Sequence, residues 1–291
     1  MQNVTQQTHN TSPHDTLLTK SLSAADYVST HDAMLARTLE RIALKKEQGL
    51  RTPDELWIVD HNDVYTLGQA GKEEHILQRT DTPIIKTDRG GQVTWHGHGQ
   101  LVVYWLFDLD SIGWSVRNLV SHAEQAIEDV VNDCLQNSSS SISDNISAHA
   151  RRDAPGVYLY ADTDTDTDTD TDTDTDTDND AQVQNTSLDD KIMLGKIASL
   201  GFKIKHGFSY HGIALNINCD LSAFNAINPC GYAGMQMLRL ADFLTIQKEP
   251  EAQTAQHMHN SLSYEQVTQK LIDNIAKRHA GLIELRAIAP K

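Results

Sequence analysis

Asn228-Pro-Cys-Gly-Tyr-Ala-Gly234 is the stretch of this chain best suited to chemistry. Pro229 fixes one backbone angle, Gly231 frees the next, and Cys230 sits between them on a tight turn where backbone can approach a ligand. A thiol placed that way can be an inert loop cysteine or a nucleophile, and its own neighbourhood leaves both readings open. Cys134, by contrast, lies in an apolar-patterned segment and reads as a small buried hydrophobe. Lys196 is the second candidate, set after Gly195 among Ile192, Met193, Leu194, Ile197 and Ala198. A lysine so flanked is either an edge residue reaching water or a buried amine whose charge is disfavoured. His211, near an apolar strand, reads as a hydrogen-bonded core histidine or as a supporting group for a site.

The third candidate is the run Arg89 to Gln100, RGGQVTWHGHGQ. Gly90, Gly91, Gly97 and Gly99 are costly to order, so a loop this rich in glycine is hard to justify as mere connection. Its glycines allow backbone to come close to a ligand, while Arg89 and His96 can contact polar or anionic groups. It matches neither G-x-x-x-x-G-K-[ST] nor G-x-G-x-x-G. His96 and His98 have no further ligand at a familiar metal spacing, so no metal is expected.

These residues need elements to hold them. Near-helical recurrence of Tyr27, Met34, Leu35, Leu39, Ile42 and Ala43 predicts a helix from Ala24 to about Gln48, stopped by Gly49. Val116 to Leu135 repeats the pattern, and Met235 to about Ile246 and Tyr264 to about Gly281 are two further helical segments. Strands are predicted over Glu55–Asp60, Ile84–Asp88, Leu101–Leu109, Gly156–Ala161, Ile192–Ile204 and Gly212–Asn218. An extended segment runs over Asp63–Gly71, and Lys205–His211 is read as the connection between the last two strands. Short strands in hairpin order, without strict β-α alternation, predict an α+β single domain with a mixed or antiparallel sheet flanked by helices.

Residues 1–20 are polar at first and read as a disordered tail, leaving 21–291 as the folded domain. Low-complexity insertions are expected at 137–150, which is Ser-rich, and at 162–190. Asp162 to Asp178 is pure Asp-Thr alternation with nine Asp and no basic residue; without those nine, the net charge of −16 becomes −7. A mildly acidic folded part carries no nucleic-acid footprint. Three cysteines without CxxC spacing, no signal peptide and no apolar run of about 18 residues point to a soluble, cytoplasmic protein.

Four motifs in order carry a resemblance: RGGQVTWHGHGQLVVY at 89–104, APGVY at 154–158, GKIASLGFKIKHGFSYHGIALNIN at 195–218 and NPCGYAG at 228–234. Together they resemble the octanoyltransferase of lipoate biosynthesis, in the lipoate–biotin protein ligase fold family, from about Tyr27 to the last helix. The resemblance implies Cys230 as the residue that carries the acyl group as a thioester and Lys196 as its partner. It places substrate-binding segments at Arg89, Gly90, Gly91, Gln92, Val93, Thr94, Trp95 and His96, at Ser199, Leu200 and Gly201, and at Gly212, Ile213 and Ala214, with His211 as a possible support. It implies octanoyl-acyl carrier protein as donor and lipoyl domains of 2-oxo acid dehydrogenase complexes and the glycine cleavage H protein as acceptors, with no cofactor. One departure is His98, where the family has proline. Two alternatives stand beside it, an ATP-dependent lipoate or biotin ligase of the same fold and a non-enzymatic ligand-binding module. For acidic partners, Arg89, Arg151, Arg152, Lys203, Lys205 and Arg239 are the basic residues nearest the motifs.

Overall fold

A computed structural model describes residues 6–8, 17–137, 145–151, 153–163, 191–231, 233–244, 246–247 and 262–286, with residues 6–8, 230 and 246–247 described by backbone alone. Its elements are β1 (Gln6–Thr8), β2 (Leu17–Ala25), α1 (Tyr27–Gln48), β3 (Asp54–His61), β4 (Val64–Leu67), β5 (Ile84–Lys86), β6 (Val93–His96) and β7 (Gln100–Leu106). There follow α2 (Leu109–Ile112), α3 (Val116–Gln136), β8 (Ile146–Ala150), β9 (Val157–Asp162), β10 (Lys191–Lys205), β11 (Phe208–Asn216), β12 (Ile246–Gln247), β13 (Leu262–Ser263) and α4 (Tyr264–His279). Eight strands form one sheet in the order β1-β2-β3-β7-β11-β10-β9-β8, and β5-β4-β6 form a small second sheet. β2 runs parallel to β3 while its other neighbours are antiparallel, so the large sheet is mixed.

β7 is buried at every position because both faces of the sheet are covered. Leu101, Val103 and Trp105 join the core under α3 and α4, while Val102, Tyr104 and Leu106 pack towards α1 with Met34. That double cover is why LVVYWL lacks polar alternation. α1 starts where the Asp26 carboxylate accepts the Ser29 N–H at 2.8 Å and stops at Gly49, φ 63°. Among the described residues no helix is long and apolar enough to cross a membrane.

Several expectations are corrected. Leu17–Lys20, assigned above to the tail, lie in β2, where Leu17 and Leu22 are buried and the Lys20 ammonium sits 3.8 Å from the Trp57 ring centroid. The open edge of β3 supplies the pairing that this polar stretch could not signal by itself. Ile146–Ala150, counted as insertion, is β8, tied to α3 because Asn132 exchanges two hydrogen bonds with Ala148. The β10–β11 connection is only His206 and Gly207, so Phe208–His211 is strand. Leu109 opens a helical turn instead of ending a strand. Met235–Met237 are not helical: Lys196 N–H donates to the Gln236 carbonyl and Leu238 N–H to the Lys196 carbonyl, both at 2.8 Å. That pairing holds the segment extended, and over the rest of the expected helix the described residues form only the short turn Leu240–Asp242 and, at Ile246, the start of β12. The disorder expected over 162–190 falls mostly on 164–190, outside the described residues, whereas Asp162 pairs with Lys191 at the mouth of β9–β10.

Candidate active site

Arg89 organises the glycine-rich loop. Its Nη2 donates to the Thr66 carbonyl at 2.6 Å, to Thr66 Oγ1 at 2.8 Å and to the Gln92 carbonyl at 2.8 Å, and Nη1 donates to the Gly90 carbonyl at 2.7 Å. The side chain is buried at the cavity wall, where these donors hold a scaffold of loop carbonyls. Gly90 N–H then donates to the Phe202 carbonyl at 3.1 Å, laying the loop along the half of β10 that β9 does not cover. Glycine is required where β11 meets β7, since a Cβ on Gly212 would lie 2.0 Å from the Val103 carbonyl oxygen.

His96 is buried and neutral. Nδ1 lies 2.7 Å from Gln100 Oε1, whose amide nitrogen donates to Asn216 Oδ1 at 2.9 Å, so Nδ1 carries the proton. Nε2 is left to accept from Thr66 Oγ1 at 3.4 Å. Burial, reinforced by His61 and Arg89, pushes the His96 imidazole down to about 3. His211 takes a left-handed backbone, φ 59°, and reaches Asp88 Oδ1 at 2.8 Å while Tyr210 donates to Asp88 Oδ2 at 2.5 Å. Hydrogen bonds from His211, Tyr210 and His31 hold the Asp88 carboxyl well below the usual range against its desolvation. Among the described residues, His31, Asp88 and His211 form the one group whose metal-ligating atoms lie within 4.8 Å of one another. Their mutual hydrogen bonds already account for the placement of these rings.

Lys196 is 1% exposed, and its ammonium donates to the Pro155 carbonyl at 2.8 Å and lies 5.3 Å from the Tyr158 ring centroid. It reaches that carbonyl across Gly156, φ 139°, where a Cβ would sit 2.4 Å from Lys196 Cε. From the other side, Asn228 N–H donates to the His75 carbonyl at 2.8 Å and sets the helical turn Pro229–Gly231 against the loop. A Cβ built on Gly231 would be 3.3 Å from Gln92. The Cys230 side chain lies outside the described residues. Cys134 and Cys219 are buried, and desolvation pushes their thiols up to about 11 and 12, so neither is a ready thiolate.

Between these elements lies a cavity of about 440 Å³. Arg89 to Thr94, His96, Ser199 to Gly201 and Gly212 to Ala214 all line it, together with Lys196 and His211.

The chain matches the Lipoyl protein ligase A/B catalytic domain family over residues 32–276. It is 72% identical to an octanoyltransferase of Psychrobacter arcticus over 99% of each chain, and 70% identical to one of Psychrobacter cryohalolentis over the full length of both. The chain belongs to the octanoyltransferase family. As a member it is an acyltransferase, and its fold is that of the lipoate–protein ligases. A T. acidophilum structure with bound lipoic acid, named as a lipoate protein ligase, superposes with a TM-score of 0.50 at 12% identity, covering 90% of this chain and 85% of that one.

For this octanoyltransferase-family chain, the cavity lining includes the expected residues other than Trp95 and Cys230, and the Cys230 side chain is outside the described residues. Trp95 points away from the cavity and packs edge-on against Phe224, ring centroids 5.6 Å apart, in the satellite core under β6. Alternation along β6 accounts for this, because Thr94 and His96 face the cavity while Trp95 turns with Val93 into the satellite core, Val93 reaching the cavity only at the end of the strand. His98 is exposed and lies 2.7 Å from Asp60, so the position that replaces proline contacts solvent and one carboxylate. Of the basic residues offered for docking, Arg89 is buried, Arg151 pairs with Asp153 and Arg239 with Asp242, and Arg152 lies outside the described residues. Lys203 is half-buried and Lys205 exposed. Sequence reading missed the Tyr27 and Tyr104 walls, the Val116 and Val120 contributions from α3, and Asp88. Asp88 directly precedes the RGG run, and that adjacency is the one signal that could have marked it.

Proposed function

We propose that the chain moves an octanoyl group from octanoyl-acyl carrier protein, through a thioester on Cys230, to a lysine of lipoyl domains. The acceptors would be the lipoyl domains of 2-oxo acid dehydrogenase complexes and the glycine cleavage H protein, and the setting cytoplasmic. What supports the reading is a largely apolar cavity lined by Lys196, with the turn that carries Cys230 set beside it, where Gly231 lies against Gln92 of the cavity wall.

The chemistry proceeds in two exchanges. The Cys230 thiolate attacks the donor's thioester carbonyl, a new C–S bond forms, and the carrier's thiolate leaves and takes up a proton. One thioester replaces another, so the step needs no activation by ATP. A neighbouring ammonium favours the thiolate, and that is the role assigned to Lys196. The acceptor lysine, as the free amine, then attacks the Cys230 thioester, and an amide forms as the cysteine sulfur departs. Lys196, having supplied its proton to the first leaving group, accepts the one released by the amine. Backbone N–H groups of the glycine-rich turns are the donors available to the tetrahedral oxyanion. The apolar wall of Val102, Val116, Val120, Leu200 and Ile213 suits an eight-carbon chain.

Intact-mass spectrometry after incubation with octanoyl-acyl carrier protein tests this directly. An octanoyl adduct on Cys230 without ATP is expected, and Cys230→Ser should abolish both the adduct and transfer. An adduct on Cys134 or Cys219, or a strict requirement for ATP, would refute it.

A further inference from the structure

Helix α3 presents a stripe at four-residue spacing towards the site. Val116 and Val120 line the cavity, and Glu124 is next on that stripe, with Glu128 one turn beyond. Both carboxylates bracket the segment joining β8 to β9. Glu128 Oε1 accepts the Ala150 N–H at 2.5 Å, and Glu124 Oε1 accepts the Gly156 N–H at 3.4 Å. Between these two anchors, Ala154 and Pro155 line the cavity and the Pro155 carbonyl receives the Lys196 ammonium. Lys196 packs directly over Gly156, so a displacement of this turn displaces the ammonium with it.

Resting on the function proposed above, we propose that Glu124 is a positioning residue for acyl transfer: through the Gly156 amide it holds the Ala154–Gly156 turn where Pro155 receives Lys196, and it faces that ammonium as its counter-charge. The charged groups that bear on it are Glu128 on its own helix and Lys196 on β10, and Glu128 is itself paired with Arg286 beyond α4. Burial and Glu128 raise the Glu124 carboxyl to about 7, while the Gly156 amide and Lys196 oppose the rise. Helix packing gives no reason for such an acid here, since the buried face of α3 is otherwise closed by Leu119, Ala123, Ile127, Val130 and Val131. A carboxyl that titrates near neutrality beside Lys196 makes the order of the turn, and the charge facing the ammonium, depend on pH.

The test compares Glu124→Gln, Glu124→Ala and Glu128→Gln in the full-length chain. Steady-state transfer from octanoyl-acyl carrier protein is measured from pH 5.5 to 8.5, alongside thermal melting. Glu124→Gln keeps an acceptor for the Gly156 N–H but no charge, so kcat should fall about tenfold with KM for the donor within about twofold, and the ionisation near pH 7 should vanish from the kcat profile. Glu124→Ala loses both functions and should fall further, roughly a hundredfold. Glu128→Gln, at the anchor away from Lys196, should retain kcat within about threefold and keep the ionisation. The inference is overturned if Glu124→Gln keeps the wild-type kcat and pH profile, or if Glu128→Gln loses as much as Glu124→Gln. It is equally overturned if both Glu124 variants lose kcat only in proportion to unfolded protein. If wild-type protein forms no octanoyl adduct on Cys230, the underlying function fails; if the adduct forms and Glu124→Gln transfers it at the wild-type rate, only the role of Glu124 fails.

Discussion

Replacing Arg89 by Met tests whether the glycine-rich loop is shaped by its own arginine or by a ligand. Met has similar length and an apolar body, so the change removes the donors with little change in packing. Of the acceptors Arg89 serves, the Gln92 carbonyl keeps the Gly68 N–H at 3.2 Å, and the Thr66 hydroxyl can reorient. The Thr66 and Gly90 carbonyls each lose an arginine donor, at 2.6 and 2.7 Å in the wild type. A buried carbonyl deprived of its donor costs about 1–2 kcal/mol, and part of that is returned because a guanidinium no longer has to be desolvated. The net loss should be about 2–3 kcal/mol, or a fall in Tm of roughly 5–10 °C for a domain of this size. Loss of loop order should also raise KM for a small octanoyl thioester about tenfold. Calorimetry and steady-state kinetics on the same preparation give both numbers. A variant that melts within about 2 °C of wild type while its KM rises as far would mean that Arg89 serves the ligand first, and the scaffold argument would fail.

Four further outcomes are expected. Gly212→Ala places a methyl 2.0 Å from the Val103 carbonyl between two central strands, so it should give insoluble protein or a melting point many degrees lower, and wild-type melting would contradict the register. His96 and His61, lowered by burial to about 3 and about 4, stay neutral in the fold while the unfolded chain takes up protons below about pH 6.5. Stability therefore falls with falling pH, by about 2 kcal/mol for the pair between pH 6 and pH 5, and urea titrations showing no loss over that interval would refute the assignment. Asp88→Asn removes the charge that holds His211, Tyr210 and His31, and should lower kcat while leaving an octanoyl adduct detectable by mass; unchanged kinetics would make the cluster a bystander. Reversing Lys203 and Lys205 to Glu should raise KM for the carrier-protein donor and flatten its salt dependence, with turnover of a small octanoyl thioester unchanged, because only the protein donor brings an acidic surface. Equal damage to both donors would assign the two lysines to the pocket.

Local chemistry was legible without a fold. The helix stop at Gly49 and the Pro-Cys-Gly turn depend on a few adjacent residues, and the structure places them as the sequence implies, whereas the start of α1 moves from Ala24 to Tyr27 because Ala24 and Ala25 are taken up by β2. The continuous apolar run of β7 likewise announced a strand, and the structure covers that strand on both faces. What the sequence could not declare depends on partners far along the chain. Leu17–Lys20 become strand because β3 offers an open edge, and Met235–Met237 are drawn out straight because their carbonyls and amides pair with Lys196, although local propensity favours a helix. Trp95 leaves the site because β6 can turn only alternate residues to the cavity, and Phe224, more than a hundred residues away, supplies its apolar partner. Glu124 reads in sequence as one more acid on an amphipathic helix. Only the return of Gly156 to α3, and of Lys196 across it, gives that carboxylate a site to act on.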